Sequence, residues 1–227
     1  MAQYSEHLDK QYADRCLYWA SRSLSRSMTV GSDGIQTLTV ICDGMDHCKF
    51  KYPRSLNMMT KSLDNFQRPY LDMHACICHG HMVLLALSEM WLPKDANWCN
   101  ELLGHVLHCA ADRVDLRSTR LVVQCDNTCR ELKNNSTLRW LAQLVGSRRI
   151  HSAELRCLQK GHTHEDVDAV FAGIAAAIES EQELHVPSDF ARLLEKYMAS
   201  ARKAEPMKKV ILVDSCRDWQ LGSMQLE

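Results

Sequence analysis

Three acidic segments, each following a β-type apolar run, constrain the fold of this chain more than any other sequence feature. Asp43 ends LTVICD, Asp126 ends RLVVQCD, and the segment GHTHEDVD follows the run AELRCLQ. Carboxylates that are far apart in sequence can meet when the strands that carry them end at one edge of an α/β sheet. We therefore expect a sheet that brings the three segments together at one edge.

The other apolar patterns predict the elements around these strands. In chain order they begin with a hairpin over 74–87, a helix capped by Asn97 and a strand over 120–125. A helix over 131–145, a strand over 153–159 and a helix over 164–178 follow, and the chain continues with a helix over 188–204 and a strand at KKVILVD. An antiparallel meander followed by β–α–β–α units is an α/β fold with one mixed sheet flanked by helices.

The same patterns divide the chain into three parts. We expect an N-terminal helix and linker over 1–36, a core over 37–180, and a C-terminal helix and strand appendage over 181–227. The stretch SRSLSRSMTVGSDG, rich in serine and glycine, is predicted to be a loop.

Charge and cysteine content limit the classes of function. The formal net charge of −1 gives no global attraction to nucleic acid, so DNA contact is expected to depend on domains missing from this chain. Eleven cysteines without a secretory signal pattern favour a reducing compartment, nuclear or cytoplasmic, and a protein that is not secreted. The longest apolar stretch is too short to span a membrane, and nothing indicates the oligomeric state.

The first two acidic segments each have a structural and a functional interpretation. Asp43 precedes Gly44, so it is either a metal ligand or part of a turn. Asp126 is either a metal ligand or a helix cap. The polar residues that follow it favour the functional interpretation, with Asn127, Lys133 and Asn134 as contacts to a sugar–phosphate backbone.

The third segment contains several possible ligands. Thr163 and Asp166 have the spacing of a capping box, which gives Asp166 a structural role. Asp168 lies one turn after His164 beside an apolar stripe, and we favour it as the metal ligand. His164 is a ligand or a general acid or base, and His162 is placed to bind substrate. The third ligand stays open among His164, Asp166 and Asp168.

Together Asp43, Asp126 and Asp168 predict a site for two Mg²⁺ or Mn²⁺ ions about 4 Å apart, because carboxylate oxygens suit these hard ions. The motif CICHGH offers a different metal, zinc. Its ligand spacing does not match the usual zinc patterns, so we expect buried cysteines there that pack as small apolar side chains. A cysteine nucleophile has no local signature in the sequence.

The segments ICDGMD, CDNTCRELKNN and GHTHEDVDAVF, in this order, resemble a family of uncharacterised eukaryotic transposon-derived domains. That family is grouped with integrase-like and DDE-transposase-like catalytic cores of ribonuclease-H-like fold. The resemblance implies that Asp43, Asp126 and Asp168 occupy the positions of the acidic triad, with His162 and His164 in the family's signature. Many such transposases have Glu as the third acid, where this chain has Asp.

Three functions follow as hypotheses. The first is an integrase- or transposase-like nuclease or polynucleotidyl transferase core that acts on DNA through two metal ions. The second is a domesticated or decayed copy that is catalytically inactive and acts as a binding scaffold. The third, a metal-dependent hydrolase of small phosphoesters, requires a deep closed pocket instead of an open acidic groove.

Overall fold

A six-stranded mixed sheet forms the centre of the molecule. The computed structural model describes residues 2–55, 67–125, 131–157, 165–181, 183–200 and 205–219. The strands are β1 Gln36–Met45, β2 Arg54–Ser55, β3 Leu71–Cys78, β4 Met82–Glu89, β5 Thr119–Cys125, β6 Ser152–Cys157, β7 Glu183–Leu184 and β8 Met207–Val213. In the large sheet the spatial order is β6-β5-β1-β3-β4-β8, and β2 pairs with β7 in a separate ribbon.

The directions of the strands make β1 the centre of the sheet. On one side, β1, β3 and β4 form an antiparallel meander, with Asp43 of β1 opposite Ala75 of β3. On the other side, β5 runs parallel to β1, and β6 runs parallel to β5. The last strand, β8, adds to the far edge in parallel with β4. The predicted α/β fold with a mixed sheet flanked by helices is confirmed at this level.

Among the described residues, five α-helices cover the two faces of the sheet. They are α1 Ala2–Ser27, α2 Ala96–Ala110, α3 Asn135–Gly146, α4 Glu165–Ser180 and α5 Pro187–Ser200. Because side chains alternate along a strand, β1 contributes Val40 to the core under α2 and α3, and Ile41 to the core under α1, α4 and α5. In the described part of the chain, no helix is both long enough and apolar enough to cross a membrane.

Most predicted elements lie where the sequence patterns put them, with shifted ends. The hairpin is formed by β3 and β4 around Gly80, whose φ of +82° a glycine adopts without strain. The cap of α2 is Asp95 and not Asn97, because the Asp95 carboxylate accepts bonds from the backbone N–H groups of Asn97 and Trp98. Similarly α3 begins at Asn135, since the side chain of Asn134 caps it.

The prediction of a loop over 21–34 is wrong for its first half, because α1 continues to Ser27. Inside this helix, the hydroxyls of Ser21 and Ser27 donate hydrogen bonds to backbone carbonyls of the preceding turn. Ser25 is fully buried, donates to the carbonyl of His79 and accepts a bond from the backbone N–H of Thr39. Ser25 therefore docks α1 onto the sheet.

The C-terminal part of the chain extends the same sheet. In α5, Phe190 and Leu194 are fully buried in the core that also holds residues of β1 and α4. The final strand β8 pairs with β4 along its whole length, from Met207 opposite Met82 to Val213 opposite Ser88. This predicted appendage thus forms one edge of the central sheet.

Candidate active site

Asp43 lies near the end of the central strand, on the face of the sheet that α4 covers. Ile41 and Met45, which lie two residues before and after Asp43 and so share its face of the strand, pack in one core with Val167 and Ile174 of α4. The side chain of Asp43 is half-buried, unlike the fully buried residues before it in the strand. A carboxylate in this position is held by the strand and lies at the margin of the core.

The end of β5 lies beside the end of β1. The parallel register continues to the pair Ile41 and Gln124, and Cys125 is the last residue of β5. Both Gln124 and Cys125 are buried. The predicted residues Asp126, Asn127, His162 and His164 lie outside the described residues. For these four, the roles given above stay predictions.

Asp166 and Asp168, in the first turn of α4, have different surroundings. Val167 between them is fully buried and anchors the helix to the sheet. Asp168 is exposed, on the flank of α4 away from Asp166. The side chain of Asp166 is only 21% exposed and carries an ion pair with Arg22 of α1. Asp168 is therefore an accessible carboxylate, and Asp166 is not.

Asp166 belongs to a polar junction that consists of Tyr18, Arg22, His79, Asp166 and Glu205. The hydroxyl of Tyr18 and the guanidinium of Arg22 each donate to the same oxygen, Oδ2 of Asp166, at 2.7 Å. Burial alone would raise the pKa of Asp166, but these two hydrogen bonds hold it below its ordinary value. The carboxylate is charged and is already used in joining α1 to α4.

His79 continues the polar junction towards the C-terminal part of the chain. Its ring is fully buried, with Nε2 2.8 Å from the Tyr18 hydroxyl and Nδ1 3.6 Å from Oε1 of Glu205. Burial lowers the pKa of His79, against the opposing effect of the two carboxylates. Glu205 also accepts a bond from the backbone N–H of Gly80. With no solvent access to His79, the junction has a structural role and fixes the first turn of α4.

Two predicted substrate contacts follow β5 and precede α3. Asn134 is the N-cap of α3, where its Oδ1 accepts from the backbone N–H of Thr137 at 3.0 Å. Its amide nitrogen donates to the carbonyl of Glu131 at 3.0 Å. Lys133 is exposed beside it. The helix cap thus accounts for Asn134, and the contact of Lys133 with a substrate stays a prediction.

Two other sets of side chains bear on metal binding. In the described residues, the consecutive side chains of Asp46, His47 and Cys48 bring ligand atoms within 4.8 Å of one another, but all three are exposed. Asp46 already accepts a bond from the backbone N–H of Cys48. In CICHGH, Cys76 and Cys78 are fully buried among apolar side chains. The prediction that these cysteines pack as small apolar residues is confirmed.

Sequence reasoning missed the polar junction. The signals that belong to it are Tyr18 and Arg22, one turn apart in α1, and the His79-Gly80 pair in the hairpin turn. The partners are separated by 148 residues for Tyr18 and Asp166, so no local pattern joins them. Only the packing of α1 across the sheet brings them together.

Comparison with known proteins gives one match. No curated protein and no solved structure matches the chain. A family described as a domain of unknown function, DUF7869, matches residues 61–224. This range is well over half of the chain. It begins after β1, the strand that carries Asp43, so it does not include Asp43; it includes Asp126 and Asp168. The chain therefore belongs to the DUF7869 family.

Proposed function

We propose that this protein is a ribonuclease-H-like core that cleaves or joins DNA phosphodiester bonds with two Mg²⁺ or Mn²⁺ ions. The observation that carries the proposal is the order and direction of the strands. A ribonuclease-H-like sheet has an antiparallel meander followed by β–α–β–α units. The meander of β1, β3 and β4, followed by β5, α3 and β6 on the other side of β1, agrees with that order. The additional strand β8 lies outside it.

The placement of the acids supports a metal site at one edge of the sheet. Because β5 is parallel to β1 and adjacent to it, Cys125 and Asp43 belong to neighbouring strand ends, and Asp126 follows Cys125 in the sequence. Asp43 also lies on the face that α4 covers, where Asp168 is exposed. A site formed by two strand ends and one helix suits oxygen ligands contributed from distant parts of a chain.

The polar junction narrows the choice of the third ligand. A divalent cation at Asp166 would compete with the guanidinium of Arg22 for the same carboxylate oxygen. Asp168 has no such ion pair among the described residues and is accessible to solvent. We therefore propose Asp168 as the third ligand, with His164 as ligand or general acid or base.

Each residue of the proposed site has a role in the reaction. Two bound ions would activate a water or a 3′-hydroxyl and stabilise the leaving oxygen. Asp43, Asp126 and Asp168 would hold these ions through carboxylate oxygens, and Asn127, Lys133 and His162 would orient the sugar–phosphate backbone. Because Asn134 already caps α3, we expect it to act indirectly, by fixing the segment that carries Lys133.

The test is cleavage of linear and branched DNA in Mn²⁺, measured on the wild type and three variants. Asp43→Asn and Asp126→Asn keep the shape of the side chain and remove a metal-binding charge, so we expect cleavage to fall by roughly a hundredfold or more. Asp112→Asn is the matched control, because Asp112 is exposed beyond the C-terminus of α2. Cleavage that is equal in all four proteins would refute the proposal.

The second candidate function is a catalytically inactive scaffold that keeps the fold. The observation that favours it is the ion pair of Asp166, since this acid of α4 has a structural role. Such a scaffold would bind partners or nucleic acid without hydrolysis. In the cleavage experiment it predicts that the wild type and both acidic variants are equally inactive with either metal.

A further inference from the structure

A cavity lies at the opposite edge of the sheet from the acidic residues, where β5 and β6 begin. Its volume is about 420 Å³, within the range of small-molecule sites. The walls between α2 and α3 are apolar and aromatic, formed by Leu107, Val114, Leu144, Trp140 and Trp219. The two indole rings meet edge to face at 5.8 Å between centroids. The cavity therefore offers an apolar space with aromatic walls.

Basic side chains surround this apolar space. Arg117, Arg149 and His108 line the cavity, and an adjoining groove of about 820 Å³ adds Arg148 and His151. Within the part of the chain that the structure describes, none of the three arginines forms a salt bridge. One acid, Asp115, also lines the cavity, and its carboxylate oxygens accept bonds from the backbone N–H of Arg117 and from the hydroxyl of Ser118.

The backbone holds one of these arginines in a conformation that glycine normally takes. Arg148 has a φ of +57° directly after α3. Its N–H bonds to the carbonyl of Val145, and the N–H of Arg149 bonds to that of Leu144. This is a Schellman motif with arginine at the position where glycine is preferred. Local folding would favour glycine at this position.

We propose that this cavity binds a nucleotide unit, with the base in the apolar space and the phosphate at Arg117, Arg148 and Arg149. Guanidinium groups match phosphate oxygens in paired hydrogen bonds, and aromatic walls accept a base. A bare anion would not need the apolar cavity, and an apolar ligand would not need three unpaired arginines. The seven residues of β5 separate this site from the acidic edge by about 20 Å, so the inference does not depend on the metal site.

Two sources can supply a nucleotide unit: a free nucleotide, or the 5′ end of a nucleic-acid strand. Calorimetry with AMP, with a short 5′-phosphorylated single-stranded DNA and with inorganic phosphate distinguishes them. EDTA is present throughout, so that failure of the metal site does not affect the result. We expect AMP or the DNA to bind at least roughly tenfold more tightly than phosphate. Tighter binding of AMP identifies a free nucleotide, and tighter binding of the DNA identifies a strand end.

The variants locate the binding. Arg117→Ala combined with Arg149→Ala should weaken binding by roughly tenfold or more, while Arg139→Ala, an exposed arginine of α3 outside the cavity, should not change it. Arg148→Gly gives a second readout, because it should raise the Tm and weaken binding together. The proposal fails if neither AMP nor the DNA binds at millimolar concentration, or if the double variant binds as the wild type does.

Discussion

At the scale of single residues, Asp166 and Asp168 show how two acids two positions apart take opposite roles. Asp166 points towards α1 and is bound by Tyr18 and Arg22. Asp168 is exposed. In one helix, this difference follows from the 100° rotation per residue, which sends neighbours of the buried Val167 to opposite flanks.

This contrast gives a crossed prediction for two conservative variants. Asp166→Asn removes a charge-assisted bond and should lower the free energy of unfolding by about 1–3 kcal/mol, with little change in metal affinity. Asp168→Asn should leave stability within about 0.5 kcal/mol and abolish metal binding. Urea unfolding and calorimetry on both variants make the comparison. The reverse pattern would exclude Asp168 as a ligand.

A second residue-scale prediction concerns Arg148. Because its backbone is left-handed, Arg148→Gly should raise the free energy of unfolding by about 1 kcal/mol. Arg139→Gly, inside α3, should lower it by about 1 kcal/mol, since glycine weakens a helix interior. Chemical unfolding of the two variants measures both effects. A loss of stability in Arg148→Gly would show that the arginine side chain supports the fold.

At the scale of elements, the contact between α1 and the β3–β4 hairpin depends on Gly80. A Cβ at this position would lie 2.7 Å from Cα of Arg26 and 2.8 Å from the carbonyl oxygen of Ser25. Both atoms belong to backbone and cannot rotate away. Gly80 therefore permits the close approach that buries Ser25 and completes the polar junction.

Gly80→Ala should accordingly cost about 3 kcal/mol or more, from the positive φ and the backbone clash together, and should loosen α1. Gly34→Ala is a matched control, because Gly34 has a φ of +75° but nothing within 4 Å of a Cβ. It should cost only about 1 kcal/mol. Hydrogen exchange reports the result: the amides of α1 should lose protection in Gly80→Ala only. Equal protection in both variants would contradict this account of the junction.

The elements that sequence patterns predicted well are those fixed by local periodicity. The hairpin, β5, β6, α4 and β8 carry apolar runs or stripes that are complete within a few residues. The last seven residues of α1, 21–27, were missed, because their serines indicate a loop unless the partners of Ser25 are known. Those partners, Thr39 and His79, lie 14 and 54 residues from Ser25.

The candidate site was predictable to a similar extent. Alternation along β1 and the apolar stripe of α4 indicated the faces on which Asp43 and Asp168 lie. The competition between Asp166 and Asp168 was not decided by the local pattern, since Asp166 is held by α1, which is distant in sequence. The basic cavity could not be predicted from the sequence, because Arg117 lies between α2 and β5, and Arg149 lies between α3 and β6.

At the scale of the whole molecule, buried histidines make stability depend on pH. Burial lowers the pKa of His74 to about 3 and lowers the pKa of His79 and His81. The unfolded state takes up these protons near pH 6.5, and the folded state takes them up only at lower pH. The unfolded chain therefore binds more protons below this pH, and the free energy of unfolding should fall as the pH is lowered from 6.5. Asp166 and Glu205, whose pKa values are lowered, add to the loss below about 4.5.

Urea unfolding between pH 7 and pH 4 tests this dependence. His74 packs against Trp98, and both ring nitrogens lack a hydrogen-bond partner among the described residues. His74→Leu therefore removes the titrating group without breaking a hydrogen bond, and the profile should become flatter. The exposed His108 provides the control variant, His108→Gln, which should keep the wild-type slope. An unchanged slope in His74→Leu would assign the effect to other groups.

The most direct test of the acidic site is calorimetric titration of Mn²⁺ into the wild type, Asp126→Asn and the control Asp112→Asn. The account predicts binding of about two ions to the wild type and the control, and loss of that binding in Asp126→Asn. Absence of binding to the wild type at millimolar Mn²⁺, or equal binding to all three proteins, would contradict a metal site at the ends of β1 and β5.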